Sequence, residues 1–123
     1  MKYNVVHKIL KEVYKMNEKE RMYLDALMEL AESVGHSWER PLSLSLLCLS
    51  HGISYDEKGK IYLSFNQILN EYEFEELDIM LFRNAMEEIT EIAQNFDDIV
   101  IKGFVKAYAL ELIPELYPFA ILL

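Results

Sequence analysis

Apolar residues recur at helical spacing near the start of the chain. They occupy the i, i+4 and i+8 positions from Val5 onwards, which predicts an amphipathic helix over residues 3–16. Asn17, with Glu20 three positions later, has the capping-box spacing of a second helix start. Gly35 is the expected end of that helix, because glycine takes the left-handed conformation at a helix C-terminus without a steric penalty.

The middle of the chain contains one predicted helix and one ambiguous stretch. Ser37 is the predicted cap of a third helix, which carries Pro41 in its first turn and ends at Gly52. Between residues 53 and 64, apolar and polar residues alternate on either side of residues 57–60. This alternation is compatible with one small β-hairpin packed on the helices.

The second half of the chain returns to helical spacing. Ser64 and Gln67 have the spacing of another capping box and predict a short helix. The longest periodic stretch predicts a helix over residues 75–96. Asp97 or Asp98 is the predicted cap of the last long helix.

These patterns predict a mainly α protein, a compact bundle of about five to six helices. Pro114 and Pro118 are expected to end regular structure after the last long helix. The 123 residues contain no repeat or linker, so one domain covering residues 1–123 is predicted. The hydrophobic content of 52% excludes a disordered chain.

Charge changes this picture, because the acidic surplus is confined to one segment. The formal net charge is −9, and residues 71–98 alone hold ten acidic residues against one basic residue, Arg83. A localised surplus creates a directional field that attracts a basic partner. The same field repels phosphate, so direct nucleic-acid binding is not expected.

The acidic segment is therefore the predicted partner-binding site. On a continuous helix, Glu76, Glu87 and Glu91 would fall within roughly 60° of one another. Tyr72 and nearby apolar side chains would supply the anchors that carry binding energy. The alternative is an ordinary solvated helix face. The predicted site residues are Glu71, Tyr72, Glu73, Glu75, Glu76, Asp78, Met80, Glu87, Glu91, Asp97 and Asp98.

Catalytic and metal-binding motifs are not evident. The sequence has no glycine-rich phosphate loop, no HExxH and no GxSxG. Cys48 and His51 have i, i+3 spacing, but Cys48 lies among leucines near a predicted helix end, which indicates a buried inert thiol. Glu32 and His36 are four residues apart and could hold a metal ion on one helix face. Gly35 lies between them and is expected to end the helix first, so a capped helix end is favoured over a metal site. We expect no catalytic residue, no metal and no cofactor, and a small enzyme is the lesser alternative.

The end of the chain is apolar but short. The run from Phe119 to Leu123 falls far below the roughly 20 residues of a spanning helix. No signal-peptide pattern is present at the start, so a cytoplasmic protein without membrane contact is expected. The tail is expected to fold back on the bundle, and self-association through it is the alternative.

One stretch resembles a known family. The residues Trp38-Glu39-Arg40-Pro41-Leu42, which lead to Leu46-Leu47-Cys48-Leu49, are similar to a segment of the Maf-type immunity proteins. These belong to the small acidic immunity proteins of contact-dependent inhibition and other polymorphic toxin systems. The resemblance implies a cytosolic inhibitor that plugs the active site of a toxin, often a basic nuclease.

Two functions are compatible with these patterns. The first is an immunity protein, or antitoxin, that neutralises a cognate basic toxin nuclease through the acidic surface. The second is an acidic regulatory adaptor or a DNA-mimic anti-defence protein that binds another basic partner. Both need a basic protein partner and neither needs turnover.

Overall fold

The helices begin where short polar side chains cap them. The computed structural model describes residues 17–37 and 39–123, so the helix predicted for residues 3–16 lies outside the described residues. The described α-helices are α1 (Glu18–Ser33), α2 (Leu44–His51), α3 (Tyr55–Glu71), α4 (Ile79–Ile89), α5 (Asp98–Glu111) and α6 (Tyr117–Ala120). Short 3-10 helices cover Phe74–Glu76, Glu91–Asn95 and Pro114–Leu116. The prediction of a mainly α protein is confirmed.

The predicted limits of α1 are confirmed. The Asn17 side-chain oxygen accepts a hydrogen bond from the Glu20 backbone N–H at 2.8 Å. At the other end Gly35 has a φ of 104°, in the left-handed region that favours glycine. Gly52 closes α2 in the same way, with a φ of 77°.

The start of α2 differs from the prediction. The cap is Ser43, whose side chain accepts from the Leu46 N–H at 3.1 Å. Ser37 instead accepts from the Arg40 N–H at 3.0 Å and closes a turn outside the helix. Pro41 explains the shift, because a proline disfavours the helical conformation of the residue before it.

The predicted β-hairpin is wrong, since residues 55–64 form the first part of one long helix and no described residue forms a strand. Ser54 and Glu57 form a reciprocal capping box at the start of α3. The side chains of Ile61, Phe65 and Ile68 then follow at i, i+4 and i+7 and are buried. Burial of this stripe in the core stabilises a helix, although the alternation of apolar and polar residues is also compatible with strands. The Ser64 cap is also wrong, because that serine lies inside α3.

The predicted helix over residues 75–96 is broken twice. Leu77 and Asp78 have extended backbone, and the Asp78 side chain caps α4 by accepting from the Met80 N–H at 2.7 Å. Thr90 is also extended and ends α4, after which the chain forms a 3-10 helix. The acidic segment therefore spans several short elements instead of one helix.

The last long helix begins as predicted, but the prolines act differently. Asp97 is the N-cap of α5 and Asp98 its first residue. Pro114 and Pro118 stand in the first turns of the last 3-10 helix and of α6. Proline is tolerated there because no intrahelical N–H bond is lost. The expectation that they end regular structure is wrong.

An aromatic cluster joins α3, α4, α5 and α6. The ring of Phe65 lies edge-on to Phe82 and to Tyr108, with centroids 5.0 Å apart in both pairs. Phe82 stacks on Phe119 at 5.4 Å. The Tyr108 hydroxyl donates to the Lys58 carbonyl at 2.7 Å, which satisfies a polar group inside the core. By contrast, α1 contributes no buried residue.

The capping box at Ser54 gives a direct test of this fold. We expect Ser54→Ala to destabilise the chain by about 1 kcal/mol, because the first turn of α3 loses its side-chain acceptor. Urea unfolding followed by circular dichroism measures the change. Ser64→Ala is the matched control and should be neutral or slightly stabilising, because alanine is the better residue in a helix interior. A larger loss from Ser64→Ala than from Ser54→Ala would contradict the assignment of α3.

Candidate functional site

The acidic segment is divided into two clusters by α4. The N-end cluster comprises the acids before α4, and the C-end cluster comprises those at and after its last turn. Since α4 has 11 residues, the clusters lie about 15 Å apart at 1.5 Å per residue. The prediction that Glu76, Glu87 and Glu91 share one face of a continuous helix is wrong, because the chain leaves the helical conformation at Leu77–Asp78 and at Thr90. The N-end cluster is Glu71, Glu73, Glu75, Glu76 and Asp78; the C-end cluster is Glu87, Glu88, Glu91, Asp97 and Asp98.

Three acids of the N-end cluster accept hydrogen bonds from nearby groups of the chain. The Glu73 N–H donates to the Glu76 carboxylate at 2.9 Å, and Asp78 caps α4. Glu71 accepts from the Gln67 side-chain amide at 2.9 Å. These carboxylates have a structural purpose, so a substitution there would disturb the chain as well as any interface. Glu75 is exposed and makes no side-chain hydrogen bond or ion pair within the described part of the chain.

Arg83 organises the C-end cluster. Its Nη2 lies 2.6 Å from Asp98 Oδ1, and its Nη1 lies 3.6 Å from Glu87 Oε1. The Arg83 side chain is only 14% exposed, so its contact with Asp98 ties α4 to the start of α5. The single base of the acidic segment is therefore occupied by two of its acids.

Glu88 is not explained by the fold. It is exposed in the last turn of α4, and no side-chain partner for it exists among residues 17–37 and 39–123. The carboxyl end of a helix dipole is negative, so a carboxylate there is unfavourable. Asp97 is also exposed, but its position at the start of α5 suits the dipole. Glu88 is thus the acid whose charge serves the isolated chain least.

Apolar side chains accompany the acids. Tyr72, Phe74 and Met80 are 37%, 48% and 50% exposed. Met80, Asn84 and Glu88 follow one another at i, i+4 and i+8, so they form one exposed face of α4. This face places an apolar side chain two turns from the unpartnered carboxylate of Glu88.

The sequence prediction missed Glu88 and the central role of Arg83. Met80, Asn84 and Glu88 are spaced at i, i+4 and i+8, which places them on one helix face. Recognising Asp78 as the N-cap of α4 would have drawn attention to this face. The contact between Arg83 and Asp98 joins residues 15 apart on different helices, so helical spacing alone does not reveal it.

The Cys48 and His51 pair is buried in the core. Burial raises the pKa of the Cys48 thiol to about 12, which keeps it protonated. Burial also lowers the pKa of His51, whose Nδ1 lies 2.9 Å from the Leu47 carbonyl. This environment opposes formation of a nucleophilic thiolate.

Glu32 and His36 also lie in different surroundings. His36 is buried, and its Nδ1 accepts from the Leu42 N–H at 2.9 Å, whereas Glu32 is exposed. In the described part of the chain, no group of three or more His, Cys, Asp or Glu side chains is arranged to hold a metal ion.

The apolar tail is divided between core and surface. Leu116, Phe119 and Ala120 are buried, whereas Ile121 and Leu122 are 61% and 70% exposed. Among the described helices, none is long and apolar enough to cross a membrane.

Comparison with protein-family models, with curated proteins and with solved structures finds no significant match.

The buried thiol leads to a testable reactivity. At neutral pH we expect Cys48 in the folded chain to react with a disulfide reagent about 10³-fold more slowly than in urea, because only the thiolate attacks. The absorbance of the released thiolate measures the rate, and Cys48 is the sole cysteine, so the signal is unambiguous. Similar rates in the folded and unfolded chain would show that the thiol is accessible and activated.

Proposed function

We propose that this chain is an immunity protein that binds and neutralises a basic toxin, and that this toxin is a nuclease. It would cover the active site of the toxin with the acidic segment of residues 71–98. The observation that carries the proposal is Glu88, an exposed carboxylate at the unfavourable end of α4 with no partner in the described chain.

The charge of the segment fits the chemistry of a nuclease. A nuclease holds a polyanion with lysine and arginine side chains, and much of that affinity is electrostatic. Carboxylates at both ends of α4 present the same sign of charge over about 15 Å. Such a surface would compete with the nucleic acid and would speed encounter with the toxin.

Apolar contacts would supply the binding energy that charges alone do not. Exposed charge pairs are screened and contribute little, whereas central aromatic and aliphatic anchors dominate most interfaces. Tyr72, Phe74 and Met80 are each at least one-third exposed and lie in or beside the N-end cluster. The proposed interface therefore has the apolar anchors and Glu75 before or at the start of α4, and the unpartnered carboxylate of Glu88 at its other end.

The local energetics also favour a binding role. A carboxylate in the last turn of a helix costs about 0.3–1 kcal/mol through the helix dipole. A lysine or arginine of a partner would remove this cost on binding. Glu88 would then be unfavourable in the isolated chain and favourable in the complex.

Charge reversal at the unpartnered acids tests the proposal. We expect Glu75→Lys with Glu88→Lys to weaken binding about 30-fold or more, because losing one side of a desolvated charge pair costs roughly 2–5 kcal/mol. Calorimetric titration would use a purified basic nuclease domain whose gene neighbours that of this chain. The wild-type chain should also inhibit that nuclease at a one-to-one ratio.

The matched control is Glu29→Lys with Glu32→Lys on α1. Both acids are exposed, and this pair changes the net charge by the same amount. Equal losses of affinity from the two pairs would show that the acidic segment is only a solvated face. Glu88→Lys alone should leave the chain folded and slightly more stable, since it removes a charge that the helix dipole disfavours. Equal inhibition of unrelated DNA-binding proteins would instead favour the DNA-mimic alternative.

A further inference from the structure

One side of α1 is an apolar stripe that residues 17–37 and 39–123 leave open to solvent. Four apolar side chains follow one another at i, i+4, i+7 and i+11 along this side of the helix: Tyr23, Leu27, Leu30 and Val34. They are 51–72% exposed. A helix of this length owes most of its stability in water to the packing of an apolar face. The stripe is therefore the part of α1 that would gain most from a cover.

The stripe borders a groove between α1 and α2. Leu27, Leu30 and Val34 line the groove from α1, and Leu46 and Leu49 line it from α2. Its volume is about 510 Å³. Leu49 is 52% exposed, so the apolar surface continues from the stripe onto α2. A groove bounded by two helices has the shape that receives the apolar face of another helix.

We propose that residues 3–16 of the same chain cover this stripe and form an antiparallel helical hairpin with α1. The segment leads directly into Asn17, and its apolar spacing predicts an amphipathic helix. A connection of about two residues is enough to join two antiparallel helices. The short tether holds the segment near α1 at an effective concentration on the order of millimolar, an advantage that no separate partner has.

The apolar positions of the segment match those of the stripe. Counted outwards from a turn at residues 16–17, three residues of the segment come level with three of the stripe: Leu10 with Tyr23, Val6 with Leu27, and Tyr3 with Leu30. Within each helix these positions are three or four residues apart, which is the spacing that keeps two apolar stripes in contact. A helix over residues 3–16 would be about 21 Å long and would reach Leu30.

Charge favours this occupant over a second copy. Residues 1–16 contain four lysines and one glutamate, a net charge of +3, whereas α1 contains five acids and two bases, a net charge of −3. Opposite net charges attract across packed helices, whose axes lie about 8–10 Å apart, within roughly one Debye length at physiological salt. Two α1 helices from different copies would instead bring the same negative charge together.

This cover is independent of the proposed function. It uses none of residues 71–98, so its test succeeds or fails without a toxin. It would also give an apolar partner to α1, which contributes no buried residue in the described part of the chain.

Disulfide formation tests the position of the segment. In a Cys48→Ala background, we expect Val6→Cys with Leu27→Cys to oxidise at least about tenfold faster than Val6→Cys with Glu29→Cys. A disulfide needs Cα atoms about 4.4–6.8 Å apart, and only the first pair would meet this condition. Glu29 is the matched control, because it is exposed and lies two residues from Leu27, about 160° round the helix.

Non-reducing electrophoresis with mass spectrometry separates cross-links within one chain from those between chains. Equal rates for the two pairs would overturn the proposal. A cross-link between positions 6 and 27 that forms only between chains would also overturn it, because a second copy would then be the occupant.

Amide hydrogen exchange tests whether the segment stabilises α1. We expect Val6→Asp to speed exchange of the α1 amides about tenfold or more, because a charge on the covered face would separate the segment from α1. Asn4→Asp changes the net charge equally, about 160° round the predicted helix from Val6, and should alter exchange by less than about twofold. Equal effects of the two variants would contradict the proposal, as would exchange in the Val6→Asp chain that is as slow as in the wild type.

Discussion

The structure depends on the burial of Tyr108 against α3. Its ring is completely buried beside Phe65, and its hydroxyl donates to the Lys58 carbonyl at 2.7 Å. An unpartnered hydroxyl in this position would cost about 1–3 kcal/mol, so the hydrogen bond fixes where α5 lies on α3. The Phe65–Phe82 and Phe82–Phe119 contacts extend the same cluster to α4 and α6.

This core separates the stability of the fold from its charge. The buried side chains around Tyr108 are apolar, whereas the acids of residues 71–98 lie at the ends of helices or in the short segments between them. Arg83 connects the apolar core with the acidic segment, because its largely buried side chain joins α4 to Asp98 at the start of α5. Glu75 and Glu88 have no comparable contact in the described part of the chain, so their charge is available to a partner.

The sequence predicts local features of the fold better than it predicts their extent. The limits of α1 follow from Asn17 and Gly35, because capping and left-handed glycine are local effects. The start of α3 is difficult to predict because its first buried residue is Ile61. The residues before Ile61 alternate between apolar and polar, as a strand would. The prediction of one helix over residues 75–96 is too long, because apolar spacing continues through the 3-10 helices on either side of α4.

The candidate site was predictable as a segment but not as a geometry. Composition alone locates the acids, since all the surplus charge lies between residues 71 and 98. It does not show which acids cap backbone and which lack partners, because that depends on where α4 begins and ends.

The central claim is that the net negative charge of the acidic segment is surplus to the fold, because acids such as Glu75 and Glu88 have no side-chain partner in the described part of the chain. The dependence of the unfolding free energy on salt tests it most directly, because moderate NaCl screens exposed charges beyond about 8–10 Å. If the acids mainly repel one another, the free energy of unfolding should rise between low and physiological salt, and Glu75→Lys with Glu88→Lys should reduce that rise. A fall in stability with added salt would show instead that the acids hold the fold together through ion pairs, and would contradict the account.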